Sequence, residues 1–292
     1  MTKPFETRVA GAPISWGACE VPGWGYQLEP RRVLREMHEL GLTATEFGPV
    51  GFLPEDPHAL TTMLAEHRLH AVGGFLPVLL HEPQSDPLPS VDDFIDTCLE
   101  TGAGVVVLAA YTGVEGYDER PVLSESGWRV LQENVDRIDE HARSRGITAA
   151  LHPHVGTVVE TYDDVQRVLA GSRVGLCIDT GHLLVGGTDP FELTRDHVDR
   201  VVHVHLKDVR RPLAERVRNG ELTYGEAIAR RLYTPLGEGD IEVASLVRLL
   251  EEHGYSGWYV LEQDVMLDAE PDGEGPVADV RTSLEYLRKV AS

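Results

Sequence analysis

The chain has 292 residues, of which 42% are hydrophobic and 25% are charged, a composition typical of a globular protein with a full apolar core. Its 48 acidic residues exceed its 26 basic ones and give a formal net charge of −22 at pH 7. Nucleic-acid binders obtain much of their affinity from Lys and Arg contacts with phosphate, so this charge argues against a nucleic-acid partner and favours a small neutral or metal-held substrate.

Cysteine usage and hydropathy predict a cytoplasmic protein. Cys19, Cys98 and Cys177 are far apart and odd in number, so they suggest neither a disulfide framework nor a structural zinc site. The opening segment MTKPFETR has no apolar signal region, and no run of about 18 apolar residues occurs in the chain. We therefore expect no membrane partner, while a homo-oligomer is compatible with the sequence.

Short apolar segments typical of strands alternate with longer amphipathic segments typical of helices. Eight strands are predicted, at residues 8–15, 43–47, 71–78, 104–110, 147–152, 173–179, 200–206 and 257–263. Helices are predicted at 29–41, 90–102, 127–146, 243–254 and 277–290. Ser90 is a candidate N-cap, and Gly41, Gly102, Gly146 and Gly254 stand where helices should end.

The alternation of strands and helices indicates a parallel sheet built from βαβ units. Eight units in under 300 residues, without an interdomain linker, predict a single α/β domain over residues 1–292, a (β/α)₈ TIM barrel. An open doubly wound sheet is the alternative, but no Gly-x-Gly-x-x-Gly motif follows the first strand. Residues 208–242, after strand seven, are too long for a simple loop and contain locally helical segments. We interpret them as a lid-like helical insertion over the strand ends.

Side chains of the ligand type stand at the carboxyl ends of the predicted strands, where barrels of this kind carry their functional residues. The two-residue period of a strand places four of them on inward faces of strands five to eight, namely His152, Asp179, His205 and Glu262. Imidazole and carboxylate ligands together suit one divalent ion. We prefer Mn²⁺ or Co²⁺, with Zn²⁺, Fe²⁺, Ni²⁺ and Mg²⁺ as alternatives.

Five further residues are candidates for the same site. His154 and His182 could bind substrate, transfer protons or support the metal ligands, and Lys207 could act in acid–base chemistry or pair with Asp208. Glu46, at the end of strand two, could bind a substrate hydroxyl or transfer a proton. Trp16 could form a wall against a sugar ring or be a packed core aromatic.

The strand-end motifs resemble a known family. DTGH (179–182), HVHLKD (203–208) and LEQD (261–264) resemble the xylose isomerase-like TIM barrel superfamily of sugar phosphate isomerases and epimerases, which also contains an apurinic endonuclease branch. HPHVGT (152–157), with three further motifs, is most similar to the inosose dehydratase branch; these are ISWG (14–17), TEFGP (45–49) and NGELTYGEA (219–227). The resemblance covers essentially the whole chain.

The resemblance implies one metal ligand from each of strands five to eight. Asp179, His205 and Glu262 match the family pattern, whereas His152 stands where the family commonly has Glu. Epimerases of the family use two opposed carboxylates, on strands five and eight, and His152 replaces one of them. Dehydration needs only one base, a metal-stabilised enediolate and an acid for the leaving hydroxyl.

The predicted function is therefore that of a metal-dependent carbon–oxygen lyase of inositol catabolism, and so of carbohydrate metabolism. Its substrate would be a polyhydroxy ketone, a ketocyclitol such as 2-keto-myo-inositol (scyllo-inosose). Glu262 or Lys207 would remove the α-proton, and His154 or His182 would protonate the departing hydroxyl. A ketose or ketocyclitol isomerase or epimerase is the alternative on the same site. An apurinic-site endonuclease is disfavoured by the charge of −22, and a sugar-binding barrel without turnover is a further alternative.

Overall fold

Eight parallel strands surround a central axis in the computed structural model, which describes residues 4–290. In chain order they are β1 (Val9–Gly11), β2 (Ala44–Thr45), β3 (His70–Ala71 and Gly73–Val78), β4 (Val105–Ala110), β5 (Thr148–Leu151), β6 (Gly175–Asp179), β7 (Val201–Leu206) and β8 (Tyr259–Leu261). Successive strands pair in parallel, and β8 lies between β7 and β1.

Val72, between the two segments of β3, closes the barrel. Its N–H donates to the Thr45 carbonyl at 3.0 Å, and its carbonyl accepts from the Gly104 N–H at 3.1 Å. The predicted (β/α)₈ fold is confirmed. The predicted first strand was too long, because Pro13–Trp16 forms a 3₁₀ turn and proline cannot donate to a strand ladder.

Helices fill the crossovers around the barrel. They are α1 (Pro30–Glu39), α2 (Pro57–Glu66), α3 (Leu88–Thr101), α4 (Glu125–Ser144), α5 (Tyr162–Gly171), α6 (Thr180–Val185), α7 (Pro190–Asp196), α8 (Arg211–Arg218), α9 (Tyr224–Ala229), α10 (Val243–Glu252) and α11 (Pro276–Val290). The five helices predicted outside the insertion correspond to α1, α3, α4, α10 and α11. No prediction covered α2, α5, α6 or α7. Of these, α6 and α7 have six and seven residues and are too short to show helical periodicity.

The predicted N-cap at Ser90 is wrong. Helix α3 begins at Leu88, with Pro87 at the cap position, and Ser90 lies in the first turn with its Oγ donating to the Pro87 carbonyl at 3.1 Å. Proline is favoured at the start of a helix, where its missing N–H costs nothing. The four helix-ending glycines are confirmed, since all have φ between 75° and 90°, the left-handed conformation that terminates helices.

The insertion after β7 is helical, as predicted. A short antiparallel pair, Asp208–Val209 with Tyr233–Thr234, encloses α8 and α9. The Asp208 carboxylate accepts hydrogen bonds from the backbone N–H groups of Gly237, Gly239 and Ile241 at 2.8–3.0 Å. These bonds fasten the end of the insertion to the barrel.

Small and apolar side chains fill the barrel interior below the strand ends. They form two groups, Ala10, Ala12, Ala44, Val72 and Val260 on one side and Val105, Val107, Ala150 and Cys177 on the other. The lumen of the described barrel is therefore a packed core that lies below a polar site at its carboxyl end. Among residues 4–290, no helix combines the length and apolar content that a membrane crossing requires.

Candidate active site

The four predicted metal ligands converge at the carboxyl ends of β5 to β8. Asp179 lies beside His205 in the paired strands, and its Oδ2 is 3.2 Å from His152 Nε2 and 3.5 Å from His205 Nδ1. Glu262 Oε2 is 3.2 Å from the same His205 nitrogen. All four residues are buried. Strand parity thus located these side chains correctly.

Helix α6 orients the Asp179 carboxylate. Its Oδ1 accepts the backbone N–H groups of Gly181 and His182 at 2.9 and 2.8 Å, which leaves Oδ2 directed at the other ligands. Burial raises the pKa of Asp179, but the Lys207 ammonium and the neighbouring imidazoles outweigh it and hold that pKa well below its usual range. The side chain is therefore a fixed carboxylate.

The donor set fits one divalent ion. Ligand atoms about 2.1 Å from such an ion stand roughly 3.0–3.4 Å apart. The ligand atoms of Asp179, His205 and Glu262 all lie within 4.8 Å of one another, and His152 Nε2 lies 3.2 Å from Asp179 Oδ2. His205 Nδ1 is buried without a hydrogen bond, although Glu262 Oε2 and Asp179 Oδ2 lie 3.2 and 3.5 Å away. A buried nitrogen left between carboxylate oxygens is the arrangement that a cation would complete.

Lys207 brings the positive charge of the site. Its Nζ lies 3.3 Å from Asp179 Oδ2, 3.1 Å from Glu262 Oε2 and 2.8 Å from Asp264 Oδ1, and it is 3.0 Å from His182 Nε2. Burial lowers the pKa of the ammonium, but the three carboxylates raise it well above its usual range. Lys207 therefore stays protonated at neutral pH and acts as a hydrogen-bond donor.

His154 and His182 form a stacked pair beside these groups, with ring centroids 3.6 Å apart. His154 Nδ1 donates to the Val155 carbonyl at 2.7 Å. Burial, with a smaller contribution from the adjacent imidazoles, holds the pKa of each ring well below its usual range. Both rings are therefore neutral near pH 7, and each keeps one nitrogen as an acceptor.

Glu46 lies at the carboxyl end of β2 and reaches across the lumen to β7. Its Oε1 accepts hydrogen bonds from His203 Nε2 at 2.8 Å and from His205 Nε2 at 3.0 Å. Burial raises the pKa of this carboxyl, but the two imidazoles more than compensate and lower it. Glu46 is therefore ionised and joined to a predicted metal ligand.

These side chains form the floor of a cavity of about 650 Å³, including its open mouth. Its walls include the aromatic side chains of Trp24, Phe75, Tyr117 and Tyr224. Trp16 is not among the wall residues: its side chain is fully buried, and Nε1 donates to Glu36 Oε2 at 2.8 Å on α1. The substrate-wall prediction for Trp16 is therefore wrong, because the 3₁₀ turn directs the indole towards the helical layer.

Two functional candidates were missed in the sequence. Asp264 forms an ion pair with Lys207 and accepts a hydrogen bond from the Tyr224 hydroxyl at 2.9 Å. The Tyr224 hydroxyl is also hydrogen-bonded to the Tyr233 hydroxyl at 2.8 Å. Asp264 has the same parity as Glu262, which was a usable signal. Tyr224 lies in the NGELTYGEA motif, but only the folded insertion brings α9 to the cavity.

Comparison with known proteins identifies the family. The family model described as "Xylose isomerase-like TIM barrel" matches residues 34–290. The chain belongs to this family. A relative named inosose dehydratase, from Geobacillus kaustophilus, is 30% identical over 300 residues, covering 98% of this chain and 95% of the relative. A relative named rhizopine catabolism protein MocC, from Rhizobium meliloti, is 30% identical over 297 residues, covering 99% of this chain and 90% of the relative.

Solved structures of low sequence identity share the fold. An L-ribulose 3-epimerase superimposes with a TM-score of 0.71 at 14% identity, covering 97% of this chain and 94% of the other. The IOLI protein, solved with a zinc atom, superimposes with a TM-score of 0.70 at 16% identity, covering 98% of both chains. At these identities the likeness establishes the barrel and no activity.

Proposed function

We propose that this member of the family is an inosose dehydratase-type enzyme, a metal-dependent carbon–oxygen lyase that removes water from a ketocyclitol. The observation that carries the proposal is the convergence of His152, Asp179, His205 and Glu262 beside a buried, protonated Lys207. Relatives named inosose dehydratase, similar over nearly the whole chain, support the same class. The location in the cytoplasm and the homo-oligomer remain predictions.

The charges of the cavity favour a neutral polyhydroxy ketone. Among residues 4–290, Lys207 is the only Lys or Arg that lines it, and three carboxylates already surround its ammonium. Glu20, Glu46, Glu262 and Asp264 also line the cavity, so an anionic phosphate or carboxylate substrate would meet net repulsion. Hydroxyl groups, in contrast, can donate to these oxygens and stack their C–H faces on the aromatic walls.

His152, Asp179, His205 and Glu262 would hold the ion. When bound, a divalent ion of this kind polarises a ketone oxygen as a Lewis acid. Mn²⁺ or Co²⁺ remains our preferred assignment from the mixed imidazole–carboxylate set, with Zn²⁺, Fe²⁺, Ni²⁺ and Mg²⁺ as alternatives.

Glu262 and Lys207 are suited to the proton transfers. The Glu262 carboxylate would take the proton from the carbon next to the ketone, and Lys207 Nζ would give a proton to the hydroxyl that leaves as water. One C–H and one C–O bond break and no oxidant is needed. Lys207 Nζ and Glu262 Oε2 are 3.1 Å apart, so the proton could return to the amine and reset the site.

His154 and His182 are assigned a different role from the one expected from the sequence. Because both rings are neutral, they are poor proton donors. His154 Nδ1 donates to the Val155 carbonyl, so we propose that His154 Nε2 accepts a hydrogen bond from a substrate hydroxyl. His182 Nε2 lies 3.0 Å from Lys207 Nζ, so it orients the proposed acid.

Incubation of the metal-loaded protein with scyllo-inosose tests the proposal. We expect a dione absorbance to develop, together with a product lighter by one water in mass spectrometry. An isomeric ketone of unchanged mass would instead establish the isomerase or epimerase alternative. Bound ketone without any product would indicate a sugar-binding barrel, and cleavage of abasic DNA would indicate the endonuclease class.

A further inference from the structure

Glu46 makes a contact that a substrate-binding carboxylate does not need. Its Oε1 accepts the Nε2 atoms of both His203 and His205, although these residues lie more than 150 positions away in the chain. The three side chains are buried, and Glu46 retains only 3% of its exposure. The carboxylate is therefore committed to two imidazoles before any substrate arrives.

The hydrogen bond at Nε2 determines what the other nitrogen of His205 can do. A neutral imidazole carries one proton, and a proton shared with Glu46 at Nε2 leaves a lone pair at Nδ1. Nδ1 is the atom that faces Glu262 Oε2 and Asp179 Oδ2 at 3.2 and 3.5 Å, and it has no hydrogen bond of its own. When the His205 ring is neutral, as a metal ligand must be, its proton therefore lies at Nε2, away from the proposed metal position.

We propose that Glu46 is a positioning residue that fixes the tautomer and ring orientation of His205 for metal binding. This inference rests on the proposed function, because it requires an ion at the convergence of His152, Asp179, His205 and Glu262. It replaces the expectation that Glu46 binds a substrate hydroxyl. A carboxylate behind a ligating histidine makes the imidazole more basic and restricts its rotation.

Hydrogen bonds hold the backbone on both sides of Glu46 in place. Its N–H donates to the Gly11 carbonyl at 3.0 Å, and its own carbonyl accepts the Thr45 hydroxyl at 2.8 Å. Gly48 follows with φ of 76°, and a Cβ at that position would stand 2.7 Å from the Pro13 ring. The side chain therefore leaves β2 from an anchored turn, so its reach to β7 does not depend on bound substrate.

The two roles for Glu46 predict different consequences of a substitution. Glu46→Gln keeps the side-chain volume but removes the negative charge. The hydrogen bond to His205 is then a neutral hydrogen bond, of about half the strength of the charged one. We expect the affinity for Co²⁺ to fall about 10- to 100-fold, as is usual when such a supporting carboxylate is removed. A substrate-binding role predicts an unchanged Co²⁺ affinity and a raised KM.

His203→Gln is the matched control. His203 bonds the same Glu46 oxygen and packs edge-on against the His205 ring, with centroids 5.2 Å apart, but it is not one of the four proposed ligands, and its own Nδ1 has no hydrogen-bond partner. If Glu46 acts through His205, His203→Gln should keep the Co²⁺ affinity within about threefold of wild type. An equal loss in both variants would mean that the buried cluster is merely structural, and it would overturn the inference.

The experiment titrates three metal-depleted proteins with Co²⁺: wild type, Glu46→Gln and His203→Gln. Calorimetry and the visible Co²⁺ spectrum measure the binding, and circular dichroism verifies that each variant is folded. A Glu46→Gln variant that binds Co²⁺ like wild type overturns the inference and leaves the proposed function intact. Wild-type protein that binds no Co²⁺, Mn²⁺ or Zn²⁺ overturns the proposed function and the inference with it.

A measurement on the wild-type protein keeps the inference testable even if Glu46→Gln does not fold. In zinc-loaded protein with ¹⁵N-labelled histidine, the His205 resonances should show a proton on Nε2 and zinc on Nδ1, with the assignment made from loss of the signals in His205→Gln. A proton on Nδ1 overturns the inference.

Discussion

A buried ammonium among carboxylates is the main electrostatic feature at the scale of single residues. Lys207 is 2% exposed, and it can remain charged there only because Asp179, Glu262 and Asp264 lie within 3.3 Å of its Nζ. The neighbouring Asp208 does not take part, because its carboxylate bonds the backbone at residues 237–241. The simple pairing of Lys207 with Asp208, left open by the sequence, is therefore wrong.

The two histidines of HPHVGT have different surroundings although they are two residues apart. His152 Nε2 lies 3.2 Å from Asp179 Oδ2, whereas His154 Nδ1 is bound by the Val155 carbonyl and its ring stacks on His182. His152 is thus placed with the ligand set and His154 beside it.

His152→Ala should bind metal at least about 100-fold more weakly than wild type, because it removes a ligand and not merely a supporting group. His154→Ala is the matched control, and its metal affinity should stay close to that of wild type while its KM rises. Metal content after dialysis, measured by atomic emission, checks both. Unchanged metal in His152→Ala would remove β5 from the ligand set.

At the scale of elements, the insertion after β7 contributes directly to the cavity. Helix α9 is started by a capping box between Thr223 and Glu226, and the Tyr224 backbone N–H donates to Asp118 Oδ1 at 2.9 Å, in the loop that follows β4. Tyr224 then reaches Asp264, the partner of Lys207. The insertion is thereby linked to the proposed acid through one hydroxyl and one carboxylate.

Tyr224→Phe should lower kcat about fivefold with unchanged metal content. The substitution removes the hydroxyl that orients Asp264, which corresponds to a hydrogen bond of about 1 kcal/mol. Tyr162→Phe is the control, because the Tyr162 side chain is exposed at the start of α5, and it should have wild-type kcat. Steady-state kinetics of the metal-loaded proteins measures kcat for both variants. An unaffected kcat in Tyr224→Phe would show that the insertion only covers the site.

At the scale of the whole molecule, the barrel holds ligands from four strands at fixed separations. The ligand atoms come from β5 to β8, and they meet only when these strands are paired in register. A metal that binds the folded chain and not the unfolded one must therefore stabilise the fold.

Adding Mn²⁺, Co²⁺ or Zn²⁺ at about 100 times its Kd should stabilise the fold by about 2.7 kcal/mol and raise Tm by several degrees. Ca²⁺ at the same ionic strength is the control, because a net charge of −22 gains some stability from any cation. Differential scanning calorimetry measures the shift, and His152→Ala should reduce it. Equal shifts with all four ions would indicate screening only.

The local sequence pattern was sufficient to predict the barrel fold and which strand-end side chains face its lumen. The period of two along GLCID and VVHVHL predicted that Asp179, His205 and their neighbours face the lumen, and the pairing of β6 with β7 agrees. Parallel pairing then required their carboxyl ends to meet. Element boundaries were less predictable, since Ser90 was placed at the start of a helix that begins two residues earlier.

The sequence by itself determined the alternation of strands and helices, the inward faces and the ligand-type residues at the strand ends, because all of these follow from short-range periodicity. Only the tertiary structure decided that Trp16 packs against α1, that Asp264 and Tyr224 join Lys207, and that Glu46 bonds His205 across the lumen. Those contacts join residues separated by 20 to about 160 positions. Their geometry depends on strand register and turn conformation, which no local pattern encodes.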